Sequence, residues 1–300
     1  MGRNHLRTLE ADPRFNLVAL VEPRSDTVAA DLRAKYLILE DYHGLAGVDF
    51  DAAVVATPTE THYAVTHFLL SVGKHVLVEK PAAVTLAQTE ELILLASERA
   101  VRLCVGHIER CNPAVAKLAE IIRSGGLGRP LFATAIRAGG FPQHVNPGND
   151  VILDLGIHEL DVLNSVFGPV TIVGGMAQAI KQAGVADVAD AWLEGREGFR
   201  ATIHVDWHTP ARLRMLRVVG ESGTIELDYR AQTVSLGGAP PVKAEPVEPL
   251  RVQLGRFYEF VTRGVTAGLC AGDEMAQSVR LAREWLHRAA AAGRPESQRG

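Results

Sequence analysis

Short apolar runs alternate with stretches of helical periodicity over about the first 110 residues of the chain. Four of these runs are apolar on both faces, a pattern typical of parallel strands that helices cover on either side. The predicted strands are 16–22, 51–57, 74–79 and 101–107. Helices are predicted between them over about 25–36, 62–73 and 86–99. This half of the chain is therefore predicted to consist of βαβ units.

After residue 130 the pattern changes to short strands separated by turn residues, which is typical of a mostly antiparallel sheet. The predicted strands are 131–137, 170–179, 189–194, 199–207, 212–220, 223–229 and 233–236. This half also contains a strong helix at 151–167, a Pro-rich loop at 237–249 and a helical tail at 252–292. We therefore predict an α/β fold, with a parallel-sheet domain over 1–110 and a second α/β domain over 111–300.

Apolar residues make up 47% of the 300 residues, charged residues 22%, and the net charge is −4. These values indicate a globular chain and lack the clustered basic excess of a nucleic-acid surface. No apolar run reaches the ~18–20 residues that a membrane helix needs, and the first residues lack the apolar core of a signal peptide. We therefore expect a cytoplasmic protein with neither a nucleic-acid nor a membrane partner. Its three cysteines include no CxxC pair, so neither a disulfide framework nor a cysteine zinc site is expected.

The first predicted strand ends in Glu22, 20 positions after Gly2. This is the spacing between a dinucleotide-binding glycine turn and the carboxylate that holds an adenosine ribose. The same carboxylate would repel a 2′-phosphate, so NAD is favoured over NADP, although Arg24 weakens that preference. Only the last glycine of G-x-G-x-x-G is present. An acidic residue after an apolar strand is also an ordinary strand end, and both interpretations stay open.

Further polar residues follow the second and third predicted strands, where open parallel sheets bind their ligands. Thr57 and Pro58 follow one strand, and Glu79, Lys80 and Pro81 follow the next. Proline restricts the backbone of the residue before it, so Lys80 would leave the strand end in a defined direction. Its ammonium group could then stabilise alkoxide character on a substrate oxygen. The alternative is a solvated turn.

The predicted helix 151–167 carries a polar stripe that includes Asp154, His158 and Asp161. One interpretation is an amphipathic helix whose polar face meets water. The other is that Asp154 orients the His158 imidazole in a cleft, where the ring takes a hydroxyl proton near neutral pH. Gly156 in the middle of this helix costs ~1 kcal/mol relative to Ala, which indicates that another group packs closely against it.

Two weaker groups lie further along the chain. His204, Asp206 and His208 alternate and would share one face of a strand. Sheet faces carry such residues routinely, so no metal site is expected. Arg212 and Arg214 also share a face and could bind a phosphate, or they could pair with surface carboxylates.

Four segments together resemble the Gfo/Idh/MocA family of oxidoreductases. They are ATPTETH (56–62), SVGKHVLVEKP (71–81), VGHIERCNPAV (105–115) and DLGIHELD (154–161). The resemblance implies a Rossmann domain and an α/β domain with an open sheet that often mediates oligomerisation. It also implies hydride exchange between a nicotinamide cofactor and a sugar-like hydroxyl. In the family a first strand and G-x-G-x-x-G precede the residues matched by 2–5, so we expect a sheet that lacks its first strand and has a vacant central position.

The resemblance also implies roles for individual residues. The expected catalytic residues are Lys80, His158 and Asp154. The expected cofactor-binding residues are Gly2, Arg3, Asn4, Glu22, Thr57, Pro58, His62, Glu79 and Lys80. The expected substrate-binding residues are Lys80, Arg110, Asn112, Asp154 and His158. The expected cofactor is NAD, and no metal is expected.

The expected reaction is oxidation of a secondary hydroxyl of a sugar, with C3 of a UDP-N-acetylhexosamine as the first choice of substrate. Within the family, GHIERxNPAV and the segment 207–229 resemble the nucleotide-sugar branch most. Inositols and simple aldoses are the alternative substrates. A different alternative is a truncated, non-catalytic binder of sugars or nucleotides. We also expect a homo-oligomer that assembles through the open sheet.

Overall fold

The computed structural model describes residues 1–143, 150–244 and 247–292. The chain forms two compact units. The first unit is Met1–Gly106 together with Leu250–Met275, and the second is His107–Pro249 together with the chain from Ala276 onwards. The domain boundary after residue 110 stays a prediction, and the return of Leu250–Met275 to the first unit is a feature that the sequence pattern does not indicate.

The first unit consists of parallel strands connected by helices. Its strands are β1 Ala19–Val21, β2 Leu37–Leu39, β3 Ala52–Val55, β4 His75–Glu79 and β5 Leu103–Gly106, with β14 Cys270–Ala271 from the C-terminal segment. Its helices are α1 Gly2–Glu10, α2 Ala30–Lys35, α3 Thr59–Ser71, α4 Leu86–Glu98 and α7 Pro249–Arg263. The predicted parallel half of the fold is therefore confirmed.

The parallel strands of the first unit form two separate sheets. β1 pairs with β2 over three residue pairs, whereas β3, β4 and β5 form a second sheet to which β14 adds an antiparallel edge. β4 and β5 are almost wholly buried, but every residue of β1 is only half-buried. The strands of the second sheet are thus better covered than β1.

The second unit is built on one eight-stranded sheet of order β13-β12-β11-β10-β6-β9-β8-β7. Its strands are β6 Pro130–Ala138, β7 Thr171–Gln178, β8 Val188–Glu194, β9 Arg200–Asp206, β10 Leu213–Gly220, β11 Gly223–Asp228, β12 Thr233–Leu236 and β13 Val242–Lys243. Its helices are α5 Pro113–Arg123, α6 Ile157–Phe167 and α8 Glu274–Ala292, the last of which begins in the first unit. Among the strands that the structure describes in this sheet, only β6 and β9 pair in parallel, so the predicted mostly antiparallel sheet is confirmed.

Three local predictions differ from the structure. β2 was not predicted, because three apolar residues directly after a helix are too short a run to show a strand period. The helical tail is interrupted, since β14 and its turns separate α7 from α8. The predicted loop at 237–249 contains the two-residue strand β13. Within the described residues, no helix combines the length and the apolar character needed to cross a membrane.

Candidate functional site

Asp154 lies in a π-helical segment, Ile152–Gly156, that leads directly into α6. The Asp150 carboxylate starts this segment by accepting hydrogen bonds from the backbone N–H groups of Ile152 and Leu153, both at 3.0 Å. Burial raises the pKa of Asp150. The wider π turn changes where the following side chains point, and such turns are frequent at functional sites. The Trp207 indole donates to Oδ2 of Asp154 over 3.2 Å, which holds the carboxylate in one orientation.

The glycine after Asp154 is required by a tryptophan. A Cβ at Gly156 would lie 2.8 Å from Cζ3 of Trp285, which is fully buried in the core of the second unit. On β7, a Cβ at Gly175 would lie 2.8 Å from Cδ1 of the same ring. The indole therefore occupies a slot between two glycines. The predicted close packing against Gly156 is confirmed.

The polar stripe on α6 does not simply face water. His158 is half-buried, and Asp161 is buried with 2% of its surface exposed. Arg110 holds Asp161 at two points: Nη2 donates to Oδ1 at 2.7 Å, and Nε donates to Oδ2 at 2.8 Å and also to Oδ1 at 3.1 Å. A two-point contact between a guanidinium and a carboxylate fixes orientation as well as distance. The residue one turn after His158 is thus anchored to the chain segment that contains Arg110.

Arg110 lies in a one-turn 3₁₀ helix, Ile108–Cys111, that ends at Asn112. The Asn112 side chain caps α5 by accepting from the Ala114 N–H at 3.0 Å, and it donates to the Glu109 carboxylate and to the Tyr229 carbonyl. Both Arg110 and Asn112 thus have buried partners within the second unit. Their role as substrate contacts stays a prediction, and their observed contacts are those of residues that position the loop.

A buried charge cluster next to this loop was not predicted. Arg137 on β6 donates from Nε to Glu159 at 2.6 Å and from Nη2 to Glu109 at 2.8 Å. Tyr229 donates to the other Glu159 oxygen at 2.8 Å. Burial raises the pKa of Glu159 although Arg137 opposes the shift. The available signal was Arg137 itself, which occupies a core-facing position of an alternating strand that would ordinarily be apolar.

In the first unit, the half-buried Lys80 directly follows β4, and its peptide bond to Pro81 is cis. His62 is buried, with ring nitrogens 2.8 Å from the Pro81 carbonyl oxygen and 2.9 Å from the Thr57 carbonyl oxygen. The ring thus connects the ends of β3 and β4 and fixes the turn from which Lys80 projects. His62 has the contacts of a positioning residue, and its contact with a cofactor stays a prediction.

Glu79, the last residue of β4, is buried against α1. Its carboxylate lies 2.7 Å from Nε2 of His5, a buried residue of that helix that the sequence did not single out. Burial opposes ionisation of the carboxyl, but His5 and the Lys80 ammonium outweigh it and lower the pKa of Glu79. A Cβ at Gly106 would lie 3.3 Å from the Glu79 side chain, so this β5 residue leaves room for the carboxylate.

The remaining predicted cofactor residues lie on exposed surface of the first unit. Gly2, Arg3 and Asn4 form the exposed first turn of α1, and no side chain among the described residues caps this helix. Glu22 follows β1, and its side chain is 40% exposed and accepts the Arg24 N–H at 3.1 Å. An accessible carboxylate after a parallel strand and an uncapped helix start are donor and acceptor types that suit a dinucleotide. The residues present therefore fit a nicotinamide dinucleotide.

The histidines of segment 204–208 are held by neighbouring carboxylates. His204 lies 2.9 Å from Asp190 and 3.3 Å from Asp206. Asp206 also accepts the backbone N–H groups of His208 and Thr209 at 2.7 and 2.6 Å. Burial opposes ionisation, but these donors outweigh it and lower the pKa of Asp206. These contacts order the turn after β9.

Comparison with known protein families gives one match in each half of the chain. Residues 1–107 match the oxidoreductase family with the NAD-binding Rossmann fold, GFO/IDH/MocA. Residues 115–226 match the GFO/IDH/MocA C-terminal domain.

Individual relatives match over most of the chain. The UDP-N-acetylglucosamine 3-dehydrogenase of Acidithiobacillus ferrooxidans is 30% identical over 75% of this chain and 72% of its own length. A solved structure of that enzyme, GnnA, has a TM-score of 0.84 at 25% identity, covering 96% of this chain and 94% of the other. Inositol 2-dehydrogenase 1 of Saccharopolyspora erythraea is 28% identical over 91% of this chain and 86% of its own length. The WlbA dehydrogenase of Bordetella pertussis, solved with NADH and UDP-GlcNAcA, shares the fold with a TM-score of 0.83 at 21% identity, over 97% of this chain and 94% of the other.

Proposed function

The chain belongs to the GFO/IDH/MocA family of oxidoreductases, and on that premise we propose that it is an NAD-dependent dehydrogenase acting on a secondary hydroxyl of a sugar. The observation that carries the proposal is the pair Asp154 and His158, one turn apart where a π turn enters α6. Both side chains are half-buried, and Asp154 is oriented by Trp207. This arrangement suits an acid that directs an imidazole base.

We assign the proton-transfer chemistry to three side chains. His158 takes the hydroxyl proton, and Asp154 holds the histidine and the sugar in position. Lys80 donates a hydrogen bond to the same oxygen and stabilises its developing negative charge. When bound, NAD supplies nicotinamide C4 as the acceptor of the hydride. The remaining work of the protein is to hold the reacting groups together.

The cofactor would be held by residues of the first unit. The carboxylate of Glu22 would accept the hydroxyl groups of the adenosine ribose, and the N–H groups at the start of α1 would face the pyrophosphate. Thr57 and Pro58 would line the nicotinamide side. Because a 2′-phosphate would meet the Glu22 carboxylate, we propose NAD rather than NADP.

For the substrate, we propose C3 of a UDP-N-acetylhexosamine. The relative from A. ferrooxidans carries the name UDP-N-acetylglucosamine 3-dehydrogenase, and its resemblance extends over most of this chain. Inositol is the second candidate, because a relative named inositol 2-dehydrogenase matches an even larger share of the chain.

Turnover measured by NADH absorbance tests the proposal on a panel of UDP-N-acetylglucosamine, myo-inositol and glucose. We expect UDP-N-acetylglucosamine to have the highest kcat/KM. Lys80→Ala and His158→Ala should each lower turnover ~10²-fold or more with near-native NADH affinity. Lys117→Ala is the matched control, because Lys117 is exposed on α5 and pairs only with Glu120 among the contacts described.

Unchanged turnover in both variants would remove these residues from the chemistry. NADH fluorescence separates the enzyme from the alternative of a non-catalytic binder. A chain that binds a UDP-sugar but neither binds NADH nor reduces NAD would contradict the proposal.

We further propose that the second unit assembles with another copy through the face of its sheet away from α5 and α6. Exposed large apolar side chains on the strands support this, among them Trp192 at 46% and Phe132 at 37% exposure. Exposed apolar patches of this kind mark association surfaces. Sedimentation at several concentrations should show an oligomer, and a monomer at all of them would contradict the proposal.

A further inference from the structure

Two arginines, Arg137 and Arg214, lie close together at the buried charge cluster of the second unit. Arg214 and Arg137 are directly opposite each other on β10 and β6, on the face of the sheet that α6 covers. Like charges in directly opposite positions destabilise a sheet unless other groups compensate them. Two carboxylates, Glu109 and Glu159, lie in this cluster.

Both carboxylates are already engaged by other donors. Glu159 accepts from Arg137 and Tyr229, one donor at each oxygen. Glu109 accepts from Arg137 at one oxygen and from Asn112 at the other. Both carboxylates thus accept hydrogen bonds from Arg137.

Arg214 is therefore only weakly compensated. Its Nη1 is 3.9 Å from Glu109, beyond hydrogen-bond distance, and its side chain is 31% exposed. Burial and the charge of Arg137 lower the pKa of Arg214. In addition, Nη1 of the 1% exposed Arg137 makes no hydrogen bond within the part of the chain that the structure describes. The guanidinium groups of Arg137 and Arg214, on directly opposite positions of β6 and β10, thus both have N–H groups that could donate to a ligand.

The position of Arg214 is connected to the proposed substrate residues by a short series of contacts that begins at Glu109. Glu109 precedes Arg110, which holds Asp161, one turn after His158 on α6. Arg214 is thus linked to the helix that carries the proposed base through residues of the second unit alone. An arginine fork matches the geometry of a phosphate or carboxylate group.

We infer that Arg214 binds an oxyanion of the substrate, the diphosphate of a nucleotide sugar or the carboxylate of a sugar acid. The inference rests on the proposed sugar-dehydrogenase function and deepens it, since it assigns a residue that separates anionic from neutral sugars. Inositol and glucose have no group for this guanidinium. Arg214 would then determine specificity without taking part in proton transfer.

Calorimetric binding of two probes, UDP and glucuronate, tests the inference without turnover. We expect Arg214→Gln to weaken binding of one probe by about ten- to a hundred-fold, the effect of losing a charge-assisted hydrogen bond. Weakened UDP binding identifies the diphosphate as the source of the oxyanion, and weakened glucuronate binding identifies the carboxylate. Arg214→Lys should retain part of the affinity, because it keeps the charge but loses the fork. Arg123→Gln, an exposed arginine on α5, should bind as the wild type does.

The inference is overturned if the wild type binds neither probe, or if a folded Arg214→Gln binds both as tightly as the wild type. Should Arg214→Gln fail to fold, Arg214→Lys decides, since wild-type affinity and wild-type salt dependence of binding in that variant would overturn the inference. The KM for UDP-N-acetylglucosamine separates this failure from that of the proposed function. If Arg214→Gln oxidises the sugar with an unchanged KM, the inference is contradicted and the proposed function is not. If UDP binding depends on Arg214 but no sugar is oxidised, the proposed function is contradicted and the inference is not.

Discussion

Replacing Gly156 by Ala tests whether Trp285 determines the path of the π-helical segment. In an isolated helix the change should stabilise by about 1 kcal/mol, because Ala is the better helix former. Here the new Cβ would lie 2.8 Å from Cζ3 of Trp285, and this fully buried ring has little room to move, because it packs so closely on Gly175 that a Cβ there would lie 2.8 Å from Cδ1. Overpacking of this kind costs about 1–3 kcal/mol, and a buried ring with so little free space favours the upper part of that range. We therefore expect a net loss of about 1–2 kcal/mol.

Urea unfolding measures this loss, with Gly47→Ala as the control, because a Cβ at Gly47 meets nothing within 4 Å. The control should be neutral or slightly stabilised. Trp285→Phe removes the ring atoms nearest Gly156, so in a double-mutant cycle Gly156→Ala should cost less in the Phe background. Turnover should fall as well, since Asp154 and His158 lie two residues to either side. A Gly156→Ala protein as stable as the wild type, or more stable, would refute this reasoning.

Three further substitutions test single contacts. Asp206→Asn removes a carboxyl whose pKa is lowered in the folded state. The wild type should therefore lose stability as pH falls from about 5 to 2, and the urea midpoint of the variant should change less over the same range. Parallel dependence of the two urea midpoints on pH would contradict this. His62→Ala leaves the carbonyl groups of the buried Pro81 and the exposed Thr57 without their imidazole partner. It should lower the free energy of unfolding by about 1–3 kcal/mol, with reduced turnover because the Lys80 turn loses its anchor. Arg137→Met leaves two buried carboxylates without their counterion and should cost about 3–5 kcal/mol in urea unfolding. The control Arg123→Met, at an exposed position of α5, should cost less than about 1 kcal/mol.

Much of the fold could be predicted because its signals are local. Apolar runs of four or more residues identified β3, β4 and β5, and alternation identified the strands of the large sheet. Gly156 indicated close packing because a glycine in a helix has an intrinsic cost. β2 has only three residues, too few to show a period.

The contacts that orient the site could not be predicted in the same way. The bond between Trp207 and Asp154 joins residues 53 positions apart, and that between His5 and Glu79 spans 74. Nothing in the local pattern around Trp207 indicates such a partner. The interruption of regular α-helix by a π turn likewise depends on packing across the core, which a helical period does not record. The sequence pattern indicated the residues of the proposed site, and tertiary contacts determine their orientation.

The two-sheet arrangement of the first unit has a consequence for amide exchange. A two-stranded sheet with three residue pairs is only marginally stable by itself, so β1 and β2 should open locally at a lower free energy than β4 and β5. Glu22 directly follows β1, so a ligand held by Glu22 binds only the form in which β1 and β2 are paired. Part of its binding free energy is then spent on closing this segment, and its apparent affinity falls in proportion to the closed fraction. Slower exchange of the β1 and β2 amides with NADH present would therefore show that cofactor binding stabilises the pairing of these two strands.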